Sequence, residues 1–92
     1  MIQKVRLNRG QILTKSNIED VLRRARIGYD YCRFELKYGT YITIAFFKDN
    51  SYDVMTNNRS ISLWTDISYI RSNKGFNALV NIVFKWIREY NR

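Results

Sequence analysis

The chain has 92 residues, is 46% hydrophobic and 15% aromatic, and carries a formal net charge of +8 at pH 7. That length suits one domain with one modest core, and no Pro or Gly-rich stretch divides it. With no His and one Cys, the chain lacks the usual proton-transfer residue and the commonest zinc ligand, and it cannot form a thiolate cluster or an internal disulfide.

The charge is concentrated early: Lys4, Arg6, Arg9, Lys15, Arg23, Arg24 and Arg26 face only Glu19 and Asp20. Such a bias favours a polyanionic or acidic partner. The N-terminus is interrupted by charge every second or third residue, unlike a signal peptide, and the apolar runs fall far short of a membrane span. A soluble cytoplasmic protein is expected, with Cys32 as a buried thiol in a reducing compartment.

Ile2, Val5 and Leu7 alternate with Lys4 and Arg6, giving a short first strand or an extended arm that ends at Asn8-Arg9-Gly10. Ser16 and Glu19 match a capping box, which predicts a helix from Asn17 to about Ile27. Its buried face is Ile18, Val21, Leu22 and Ala25, and Gly28 stops it. From Tyr31 to Tyr38 the period becomes two, with Cys32, Phe34 and Leu36 on one side and Tyr31, Arg33, Glu35 and Lys37 on the other. After a turn at Tyr38-Gly39, a second strand sets Ile42, Ile44 and Phe46 against Tyr41, Thr43, Ala45 and Phe47.

Asp49-Asn50 closes the next hairpin, and a third strand spans Ser51 to Met55. Thr56-Asn57-Asn58-Arg59 reads as a polar turn, and Ile61 with Leu63 as a short fourth edge strand. The stretch from Trp64 to Ile70 fits either a strand or a helical turn capped by Asp66. Phe76, Leu79, Val80, Val83 and Ile87 then define a helix running to near Tyr90. Ile82, Phe84 and Trp86 widen its apolar surface, which suits either a deep seat in the core or a homodimer contact.

The expected fold is α+β in one domain: an antiparallel meander of three to four strands with two helices packed on one face. The order is α-β-β-β-α, with room for an extra N-terminal strand. This order, over roughly residues 16 to 90, resembles the double-stranded-RNA-binding domain, in which two helices pack on one face of a three-stranded sheet. Those domains open their last helix with a run of lysines, where this chain has Lys74 alone beside Gly75 and Asn77.

No catalytic set, metal site or cofactor is expected. The acids fall mostly at caps, turns and solvent-facing strand positions, and Gly10, Gly28, Gly39 and Gly75 are isolated, so no phosphate-cradling loop is present. The leading expectation is a non-enzymatic nucleic-acid-binding protein. Lys4, Arg6, Arg9, Lys15, Arg23, Arg24, Arg26, Arg33 and Lys37 would meet phosphates, and Tyr31 and Tyr41 would stack on bases. The alternative is a protein-binding inhibitor or regulatory module, of the compact kind encoded by phages and mobile elements, acting on a host protein. Its anchors would be Tyr29, Tyr31, Tyr52, Trp64, Tyr69 and Trp86.

Overall fold

The computed structural model describes residues 3–28, 31–49, 51–58, 66–72 and 74–92. Among these residues five strands and two α-helices follow in order as β1 (Gln3–Arg6), α1 (Lys15–Ile27), β2 (Tyr31–Glu35), β3 (Tyr41–Phe46), β4 (Tyr52–Asn58), β5 (Asp66–Ser72) and α2 (Phe76–Tyr90). The sheet order is β1-β2-β3-β4-β5. β1 lies parallel to β2, with α1 as the crossover, and β2 to β5 form the antiparallel meander.

One face of the sheet is apolar because strand residues alternate. Cys32 stands opposite Ile44, Phe34 opposite Ile42, and Ile44 in turn opposite Val54. These join Ile18, Val21, Leu22 and Ala25 of α1 and Leu79, Val80, Val83, Trp86 and Ile87 of α2 in one hydrophobic cluster. Both helices therefore sit on the same side. Lys15 at the start of α1 lies over Phe84, and Arg26 near its end lies over Phe76, so the helices run antiparallel.

Three local readings of the sequence are corrected. The helix start lies two residues earlier than the capping box at Ser16 implies: Thr14 is the N-cap, its Oγ1 accepting the Asn17 amide at 3.1 Å and donating to Asn17 Oδ1 at 2.7 Å. Thr14 thus supplies the capping hydroxyl in place of Ser16, and Asn17 answers it by accepting from that hydroxyl, where a capping box would have the third residue accept from the cap's backbone amide. Next, β2 ends at Glu35, and a 3₁₀ turn over Lys37–Gly39 interrupts the alternation. Gly39, at φ 74°, takes the left-handed conformation that this turn requires.

The last correction concerns the end of the meander. Thr56, Asn57 and Asn58 continue β4 instead of forming a turn, because β5 pairs with them from Asn57 opposite Ile67 to Asn58 opposite Asp66. The fourth meander strand is thus Asp66–Ser72. The earlier strand expected at Ile61 and Leu63 lies outside the described residues, as does Trp64.

Trp86 is buried, and Ile82 and Phe84 are half-buried against the same cluster. The wide apolar surface named for a homodimer is largely consumed within the chain. No helix among the described residues is long and apolar enough to cross a membrane.

Candidate nucleic-acid interface

The fold distributes the cations and aromatic rings over two opposite surfaces. On the sheet face away from the helices, register aligns Lys4, Arg33, Thr43 and Met55 across β1 to β4, with Arg6, Glu35 and Tyr41 as the adjoining row and Tyr31, Ala45 and Asp53 on the other side. No described helix covers this face. Tyr31 is 54% exposed and Met55 36%, while Lys4 and Arg6 are exposed along the edge strand.

The centre of that face is a stack. The Arg33 guanidinium lies over the Tyr41 ring, 4.6 Å from its centroid, an arrangement that the diagonal register of β2 and β3 makes possible. Arg33 Nε and Thr43 Oγ1 are buried beside this stack without hydrogen-bond partners, although their residues are directly paired across the ladder. Buried polar atoms are normally satisfied. Arg6 Nε bonds Glu35 Oε2 at 3.1 Å, which holds the edge arginine against the sheet.

The second surface is the helix layer. Arg23 and Arg26 both lie over Phe76, at 5.2 and 4.7 Å, and Arg23 also bonds Glu19 one turn earlier. Lys15 and Arg88 lie over Phe84, at 5.3 and 5.6 Å. Arg24 is exposed on α1. Burial pushes the Cys32 thiol up to about 12, against a smaller lowering by the Arg24 charge, so Cys32 is a core group and no nucleophile.

The residues expected to act together are therefore split. Lys4, Arg6, Tyr31, Arg33 and Tyr41 share the open sheet face, whereas Lys15, Arg23, Arg24 and Arg26 belong to the helix layer. Arg9 is exposed in the turn after β1. Lys37 leaves the sheet face because the 3₁₀ turn carries it to the end of α2, where its Nζ donates to the Arg92 carbonyl and its backbone amide to Asn91 Oδ1 at 3.0 Å. Phe47, 37% exposed, lies just beyond the end of β3.

Sequence reading passed over Lys85, Arg88 and Arg92. Lys85 and Arg88 stand one turn apart on α2, a spacing already present in the sequence, and Arg92 follows the C-cap Asn91. Of the aromatic anchors named for a protein-binding module, Tyr52 and Trp86 are buried at 2% and 8% exposure. Tyr29 and Trp64 lie outside the described residues.

Among the described residues no group of three or more Cys, Asp or Glu side chains is placed to hold a metal ion. No protein family, curated protein or solved structure matches the chain, so a functional reading follows from the chemistry of these two surfaces.

Proposed function

We propose that the open sheet face binds single-stranded nucleic acid with little sequence preference. One observation carries this reading: Arg33 stacked on Tyr41, beside exposed Tyr31, on a face whose edge strand adds Lys4 and Arg6. Aromatic rings and guanidinium planes stack on unpaired bases of any identity, while cations along the edge neutralise phosphates. A duplex hides its bases from such a platform, so the preferred partner has an unpaired segment.

The test is fluorescence anisotropy with labelled single strands of DNA and RNA and with the corresponding duplexes, over a series of salt concentrations. Contacts from Lys4, Arg6 and Arg33 correspond to a slope of about −2 in log affinity against log salt. Tyr31→Ala or Tyr41→Ala should lower affinity roughly 5- to 150-fold, the effect of losing about 1–3 kcal/mol of stacking. Equal affinity for single strands and duplexes, or none for either, would refute the proposal.

A further inference from the structure

The two edges of the sheet differ. β1 is four residues long and carries Lys4 and Arg6 with no acid, so it has two of the devices by which edge strands avoid pairing with another chain, shortness and charge. β5 is seven residues long and holds neither Lys nor Pro. All seven pair one to one with β4, without a bulge, and no strand among the described residues lies beyond it. Its outer row of backbone amides and carbonyls is therefore a template for another strand.

We propose that β5 pairs antiparallel with β5 of a second copy of this chain, joining two five-stranded sheets into one of ten strands. Charge selects both the occupant and the direction. The chain as a whole is +8, and pairing two β1 edges would set Lys4 and Arg6 against their own copies, whereas β5 is neutral, with Asp66 at one end and Arg71 near the other. Antiparallel pairing sets the Asp66 end of each strand beside the Arg71 end of its partner; parallel pairing would put like charge on like. The register that pairs all seven residues is centred on Tyr69, which meets its own copy on a two-fold axis perpendicular to the sheet. Opposite residues then share a face, so both helix layers lie on one side and both open faces on the other. Tyr69 stands in register with Lys4, Arg33, Thr43 and Met55, and the dimer continues this row through both sheets. The contact does not involve Ile82, Phe84 or Trp86 of α2, and it stands independently of the nucleic-acid reading.

The test is sedimentation velocity of the full chain from micromolar to millimolar concentration, without nucleic acid. The wild type should shift from monomer toward dimer as concentration rises. Tyr69→Lys sets two like charges on the axis and should weaken the dimer at least tenfold, while Lys4→Gln on the opposite edge should leave it unchanged. A second measurement reads the register and adds no charge to the strand. Cys32 is buried, so Tyr69→Cys and Met55→Cys each add a single thiol at an open-face position, on β5 and one strand inward. Mild oxidation should crosslink Tyr69→Cys at least tenfold faster than Met55→Cys. A monomer up to millimolar concentration would overturn the proposal and leave the edge to a strand of another protein. A dimer unmoved by Tyr69→Lys, or equal crosslinking of the two cysteine variants, would overturn it as well.

Discussion

Thr43 sits at 6% exposure on the open face, and its hydroxyl has no hydrogen-bond partner. An orphaned buried hydroxyl costs stability, and an apolar group of the same shape removes that cost. Thr43→Val should therefore raise stability by about 1 kcal/mol, which for a domain of this size shifts the thermal midpoint up by about 4–8 °C; a lowered midpoint would show that the hydroxyl is satisfied in solution. Cys32 gives a second residue-level test. Its thiol is held near 12 in the folded chain against an ordinary value of 9.0, so only the unfolded chain loses this proton between those limits. The stabilising contribution is fully present below about pH 9 and is lost as pH rises toward about 12. The gap in thermal midpoint between the wild type and Cys32→Ala should narrow across that window, and a constant gap would contradict the assignment.

At the scale of elements, Asn91 is the fastener that joins the end of α2 to the rest of the fold. Its Nδ2 donates to the Asn8 and Gln11 carbonyls, both at 2.9 Å, its Oδ1 accepts the Lys37 amide at 3.0 Å, and its own carbonyl accepts the Gly10 amide at 2.7 Å. Asn91→Ala strands three backbone groups at once and should cost about 2–4 kcal/mol in denaturant unfolding. Asn91→Asp should be no better, because it turns a carboxylate toward two carbonyl oxygens; wild-type stability in both would discount the clasp. Little of this was legible in the sequence, where Asn91 reads only as a residue after a helix. The bounds of α2 and the inward set Cys32, Phe34, Ile42, Ile44 and Phe46 were legible because each depends on a local period that burial reinforces. The stretch that forms β5 reads as either a strand or a helical turn, because its partner is β4, and pairing between strands leaves no mark within one short window. The Arg33 and Tyr41 platform follows from the period of two in each strand, while the seating of Arg23 and Arg26 on Phe76 does not, since it joins positions 50 residues or more apart.

For the whole molecule, two layers separate two kinds of cation. Those on α1 partly serve the fold: Arg23 and Arg26 cover Phe76, and each such contact contributes about 0.5–1 kcal/mol at an exposed site. Reversing them to Glu would therefore disturb the α1–α2 seam together with any binding, and such variants confound affinity with stability. Lys4, Arg33 and Tyr41 lie on the face that no described helix covers, where substitution reports on binding with less disturbance of the core. Ultraviolet crosslinking of a bound single strand to the intact protein, followed by mapping of the modified peptide, addresses the central claim most directly. The sheet-face reading predicts adducts on Tyr31 or Tyr41, lost when salt is raised; adducts confined to α1 or α2, or no adduct at a saturating concentration of strand, would contradict it.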